Sequence, residues 1–238
     1  MKPLLSLLTL PLLCTASSIV VPNGTDTTPS FAFVSGLING QQTEVFEVIL
    51  GSSQLTGIPL GSQITGIGFR MPIFAPPYPA IDILYYDFQM FFGRAAGEPG
   101  TQSLNPLLNF KDPQRVISPP LQIPANTFVG GQFAFLHFDS PYIYNGGPLA
   151  AYWSGLPIAG PNGFPFFDAV PSQPGVSTFI YNTLIPYQFI NPGIAPVVAL
   201  EFTAPGSPVP EPGTVWMGFS LIGVAIVARR FQRKLAAE

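Results

Sequence analysis

The chain has 238 residues, a formal net charge of −3 and only 9% charged residues, against about 25% in an ordinary soluble domain. It carries 29 prolines, 24 glycines, 21 phenylalanines, one histidine and one cysteine. So few charges exclude a nucleic-acid binder that works through a basic surface, and also a charged coiled coil. Proline at this density excludes a mostly helical fold, because an interior proline costs a helix about 3 kcal/mol. Disorder fits poorly, since the phenylalanines, valines and isoleucines can bury a core.

At the N-terminus, Met1-Lys2-Pro3 precedes a Leu-rich run from Leu4 to Leu13, followed by Cys14-Thr15-Ala16. One positive charge, a short apolar run and small residues form the order of a secretory signal, and the run is too short to span a bilayer of roughly 30 Å. Residues 1–16 are therefore expected to be a signal peptide, cleaved after Ala16. Lipidation of Cys14 is the rival, disfavoured because Leu13 is not small.

Residues 17–202 read as one β-domain. They hold no cysteine, so the fold has to stand without a disulfide. Ser17–Pro208 carries ten acids against Arg70, Arg94, Lys111 and Arg115, a net of −6. Strand signals lie at Phe31–Val34, Thr43–Leu50, Ile64–Phe69, Ile81–Phe92, Gln132–Phe138, Tyr142–Tyr144, Leu149–Trp153, Val176–Tyr181 and Val197–Phe202. Asn39-Gly40 suits a hairpin turn, because both residues tolerate positive φ. Two stretches read as loops: Arg94–Asn109, crossing between sheets or over one end, and Leu156–Gly175, an irregular excursion rich in proline and glycine. With turns this frequent and no clean period of 3.6, the expected fold is all-β, an antiparallel β-sandwich of jelly-roll type. Thr203–Pro208 reads as a linker of proline, glycine and serine.

The C-terminal segment, residues 209–238, is the most specific. Thr214–Ala228 is an uncharged apolar run of 15 residues, about 22 Å long as a helix. Trp216 suits one membrane interface, and Arg229, Arg230, Arg233 and Lys234 follow at once. By the positive-inside rule these cations hold residues 229–238 in the cytoplasm and leave the domain outside. A buried closing helix is disfavoured, because the run has no polar face.

Pro210-Glu211-Pro212, the apolar run and the basic end together resemble the PEP-CTERM sorting signal of Gram-negative bacteria. The resemblance covers about 30 residues. It implies a partner, a membrane-embedded exosortase that reads the tripeptide. It also implies transient anchoring in the inner membrane and delivery to the cell surface or to extracellular polysaccharide. Two stretches, Gly61–Arg70 and Phe138–Leu149, also resemble a β-sandwich of exported proteins from environmental bacteria. That likeness bears on fold and implies no activity.

Chemistry is sparsely signalled. His137 can be grouped with Asp139 and with Ser140 or Ser154, but no Gly-x-Ser-x-Gly elbow is present. One histidine and no mature cysteine exclude a histidine-based metal site; an acid with loop carbonyls leaves a single calcium site open. A hydrolase pair has to come from Glu44, Glu47, Asp82, Asp87, Asp139, Asp168 or Glu201. Glu44 and Glu47, and likewise Asp82 and Asp87, have the odd spacing that separates faces of a strand. Tyr78, Tyr85, Tyr86, Tyr142, Tyr144, Tyr152 and Trp153 are the aromatics available to a carbohydrate-binding face. The expectation is a non-enzymatic envelope or matrix protein with no cofactor and no nucleic-acid partner. Carbohydrate binding is the alternative, and a glycoside hydrolase a more distant one.

Overall fold

The computed structural model describes residues 16–26, 32–35, 44–103, 105–155, 157–159, 166–171, 175–182, 188–191 and 194–206. Its first six strands are β1 (Ser17–Val21), β2 (Ala32–Ser35), β3 (Glu44–Leu50), β4 (Gln63–Arg70), β5 (Ile83–Tyr85) and β6 (Gln89–Arg94). Next come β7 (Gln114–Ile117), β8 (Leu121–Ile123), β9 (Phe133–Ile143), β10 (Leu149–Gly155) and β11 (Pro157–Ala159). The last five are β12 (Phe166–Pro171), β13 (Val176–Asn182), β14 (Gln188–Asn191), β15 (Ile194–Pro196) and β16 (Val198–Thr203). The described helix is confined to 3₁₀ turns at Ser52–Gln54 and Pro106–Asn109. One compact unit runs from Ala16 to Pro205.

The fold is all-β, and its named strands pair antiparallel. A four-stranded sheet has the order β1-β16-β4-β9 and a six-stranded sheet the order β14-β13-β3-β10-β6-β7. Two three-stranded sheets, β11-β5-β8 and β15-β12-β2, complete it. Both large sheets send side chains into one core: Ile64, Ile67, Phe69, Leu200 and Phe202 from the smaller, Phe46, Val48, Met90, Phe92 and Trp153 from the larger. Trp153 stacks on Phe46 with centroids 4.7 Å apart and meets the edge of Phe69 at 5.4 Å. Such stacked and edge-on pairs add a favourable quadrupole contact to the burial itself.

Several expectations change in the fold. Ile81–Phe92 is not one strand. Asp87 and the exposed Tyr86 sit in a turn that separates β5 from β6, which belong to different sheets. The odd spacing of Asp82 and Asp87 therefore says nothing about faces, because no single strand carries both. Ile64–Phe69 is a strand as expected, but its pairing register shifts between Ile64 and Gly66, so Ile64, Ile67 and Phe69 all reach the core. Tyr142 and Ile143 belong to the end of β9. Residues 156–175, read as a loop, contain β11 and β12. The stretch from Arg94 does not cross between sheets; it returns to β7, which pairs with β6 in the same sheet. The Asn39-Gly40 turn lies outside the described residues.

Candidate functional site

The residues expected to govern sorting, Pro210, Glu211 and Pro212, lie outside the described residues. So do Trp216, Arg229, Arg230, Arg233 and Lys234, and the apolar run 214–228. Among the described residues no helix is long and apolar enough to cross a membrane. Ala16, the expected cleavage residue, is exposed and directly precedes β1. Ser17 is paired with Phe202, so the chain enters and leaves the four-stranded sheet at the same end.

His137 does not join the triad its neighbours suggest. It sits on the outer face of the four-stranded sheet, 68% exposed, with Nδ1 3.2 Å from Glu201 Oε2. The same oxygen accepts a hydrogen bond from Thr65 Oγ1 at 3.1 Å. Asp139 instead accepts from the Ser118 amide, and Ser154 accepts from Gln89 Nε2 on the other large sheet. The imidazole therefore has a carboxylate partner, while Asp139 and Ser154 are engaged elsewhere.

The acids are likewise held apart by separate partners. Asp168 pairs with Arg70 Nε at 2.6 Å in a buried bridge. Asp82 accepts from Gln122 Nε2 and the Ala125 amide. Glu201 serves His137 and Thr65, and Glu47 accepts from Asn109. Glu44 has no described side chain. Among the described residues no group of three His, Cys, Asp or Glu comes together in a way that could hold a metal ion.

The aromatic set mostly serves the core. Tyr78, Tyr85, Tyr142, Tyr144 and Trp153 are buried, Tyr152 is half-buried, and Tyr86 is exposed. Burial pushes the Tyr142 hydroxyl up to about 12, helped by the negative charge of Asp112.

One cross-strand row does gather functional groups. On the outer face of the six-stranded sheet, Glu47 of β3 lies opposite Tyr152 of β10, Tyr152 opposite Phe91 of β6, and Phe91 opposite Arg115 of β7. Alternation explains why: Phe46, Val48, Met90, Phe92, Trp153 and Val116 flank these positions and point inward. The Phe91 and Tyr152 rings are 6.1 Å apart, and the Arg115 guanidinium lies 5.4 Å over the Phe91 ring. Beside the row, Gln89 Nε2 donates to Ser154 Oγ at 3.4 Å.

Glu47 is the most perturbed member. It is fully buried, and Asn109 Nδ2 donates to its Oε2 at 2.8 Å while Oε1 has no partner among the described residues. Loss of water raises its pKa from 4.5 to about 7, although the Asn109 bond pulls the other way. The carboxyl is thus substantially protonated at neutral pH. Sequence reading named Glu47 and Tyr152 but missed Asn109, Phe91 and Arg115. Phe91 could have been found from its even spacing with outward positions on β6; Asn109 is 62 residues from Glu47 and gives no local signal.

The geometry defines a class, an antiparallel all-β sandwich-like domain with a buried carboxyl and an aromatic–cation row on one outer face. The chain matches no family model, and comparison with curated proteins and with solved structures returns no match.

Proposed function

We propose that the chain is an exported envelope or extracellular-matrix protein with a structural, non-enzymatic role, built on a β-sandwich of jelly-roll type. Its N-terminal signal sends it through the inner membrane, and its C-terminal helix anchors it there. An exosortase-type enzyme then processes it near Pro210-Glu211-Pro212 and releases it to the cell surface or matrix. The observation that carries this reading is the ordered set of tripeptide, uncharged apolar run 214–228 and basic cluster from Arg229 to Lys234. Two further facts support it: the compact unit begins at Ala16, the expected cleavage residue, and ends at Pro205, ahead of the sorting tripeptide. Glu47, Asp82, Asp168 and Glu201 have separate partners rather than a shared site.

Fractionation of cells expressing the full chain or a chain lacking Val209–Glu238 tests the proposal. The full chain should be found in the membrane fraction or at the surface, and the shortened chain in the medium. Retention of the shortened chain in the membrane fraction contradicts an anchoring role for the tail.

A second reading, a carbohydrate-binding surface module, is favoured by one feature, the Tyr152–Phe91–Arg115 row with its neighbouring amide and hydroxyl. Rings beside fixed donors suit the apolar faces and hydroxyls of sugars. Saturable binding on a glycan array, lost in Tyr152→Ala with an unchanged melting temperature, would establish it. A flat response across the array would leave the structural role alone.

A further inference from the structure

The segment from Ala95 to Phe110 lies against the outer face of the six-stranded sheet, over one end of the row that contains Glu47. Among the described residues, only a small apolar patch holds it there. Ile49, Ala95, Phe110 and Ala150 form a small cluster, while Leu107 and Leu108 of the segment point to solvent, 56% and 65% exposed. Polar bonds supply the rest. At the segment's root, the Ala95 amide donates to the Pro148 carbonyl, the Ala96 amide to the Asn109 carbonyl, and the Lys111 amide to the Arg94 carbonyl. Further out, Glu98 accepts from Ser52 through both its hydroxyl and its amide.

Asn109 is the centre of this arrangement. Its Nδ2 donates to Glu47 Oε2 and, at 3.0 Å, to the Ser103 carbonyl. Its Oδ1 accepts from the Ser103 amide at 2.6 Å. The side chain therefore organises its own segment and fixes it to the sheet through one carboxyl group. That carboxyl is fully buried, and among the described residues it has a single donor and one oxygen left over.

We propose that the Glu47–Asn109 contact is a proton-controlled clasp, which holds the Ala95–Phe110 segment on the sheet while Glu47 carries its proton and loosens when Glu47 is ionised. With Oε2 accepting from Asn109, the proton sits on Oε1. An unpaired buried hydroxyl is tolerated far better than an unpaired buried charge. Ionisation strengthens the bond from Asn109, because charged acceptors bind amides more tightly. Desolvation nevertheless dominates, as the direction of the Glu47 shift shows. The carboxylate regains its water when the segment lifts, and lifting uncovers Ile49 and Ala150 next to the Tyr152–Phe91 pair.

Among the described residues, the groups around Glu47 leave it in control. Tyr152 faces it from β10, and Phe179 is its register partner on β13. Asn109 faces it from the segment, whose one charged group, Glu98, is engaged by Ser52. Arg94, Lys111 and Asp112 lie at the segment's root, with Asp112 Oδ1 accepting from the Arg94 amide. Arg115 stands at the far end of the row over Phe91. Burial and the Asn109 bond are the causes that set the Glu47 shift.

Hydrogen exchange of the full chain in detergent, followed by mass spectrometry from pH 5.5 to 8.5 and corrected for intrinsic exchange, tests the clasp. Peptides covering residues 95–110 should lose protection above about pH 7, approaching tenfold per pH unit, while peptides from β4 and β16 stay constant. Glu47→Gln should make the 95–110 profile flat, and Asn109→Ala should leave it poorly protected at every pH. Wild-type protection that is flat across the range overturns the proposal, as does a Glu47→Gln profile that still follows the wild type. The wild-type series stands alone if either variant fails to fold.

Discussion

Glu47 makes the stability of the protein depend on pH in a defined direction. Its folded-state pKa is about 7, against 4.5 for the free side chain, so between those values the folded state binds more protons than the unfolded one. Stability contributed by the neutral acid is therefore complete below about pH 4.5 and is lost as pH rises toward 7. A shift of this size corresponds to about 3 kcal/mol at most. Urea denaturation at pH 5 and pH 8 should show a drop of that order in the wild type and a much smaller one in Glu47→Gln. Tyr142 behaves similarly at higher pH. Burial holds its phenol neutral up to about 12, so absorbance titration should show a tyrosine ionising late, with stability declining as pH rises beyond 10. Neither behaviour was legible in the sequence. Glu47 reads there as an ordinary strand carboxylate, and what buries it is a segment that returns 62 residues later. The partner of His137 was hidden for the same reason: Glu201 arrives from the last strand, while Asp139 and Ser140 are merely close in sequence.

At the scale of elements, the Arg70–Asp168 bridge ties the small β15-β12-β2 sheet to the end of β4. Arg70 also donates to the carbonyls of Thr25 and Asp26, and its guanidinium lies 5.2 Å over the Phe133 ring. Removing Asp168 strands the Arg70 charge in a buried site, whereas removing both partners also removes that charge, at the cost of the bonds to the Thr25 and Asp26 carbonyls. Asp168→Ala should thus lower stability by about 3–5 kcal/mol, and an Arg70→Met/Asp168→Leu pair by much less, as read from urea midpoints. Gly93 is a second structural point. A Cβ there would lie 2.6 Å from the Asp112 carbonyl oxygen, a backbone atom that cannot move without shifting the start of β7. Gly93→Ala should therefore destabilise the β6–β7 pair, while Gly97→Ala meets only a side chain that can rotate. Strands such as β4, β10 and β16 were legible because β-branched and aromatic residues recur in them between clear turns. Gln114–Ile117 and Leu121–Ile123 were not. They are short and flanked by Pro113, Pro119, Pro120 and Pro124, and pairing with β6 and β5 makes them strands. Phe166–Pro171 likewise became a strand by pairing with β2 and β15, in a region whose prolines and glycines suggest a loop.

For the whole molecule, the decisive feature is the position of β16. The last strand does not close an edge; it lies between β1 and β4 and sends Val198, Leu200 and Phe202 into the core. Until it arrives, β1 has no partner in its sheet and β4 lacks one of its two neighbours. Pairing the first strand with the last also spans almost the full length of the compact unit, the kind of long-range contact that slows folding. The described residues contain no cysteine, so no disulfide can hold an incomplete sheet together while the strand is missing. Cooperative stability should consequently appear abruptly with chain length. A chain ending at Gly206 should unfold in a single urea transition and resist limited proteolysis. A chain ending at Val197 should show neither property. A shorter chain that melts at the full midpoint would mean that the six-stranded sheet carries the core without its partner. If the tail does anchor the protein, the same geometry ties folding to export. Only ten residues separate Thr203 from the apolar run beginning at Thr214, so the strand that completes the core is exported just ahead of the anchor.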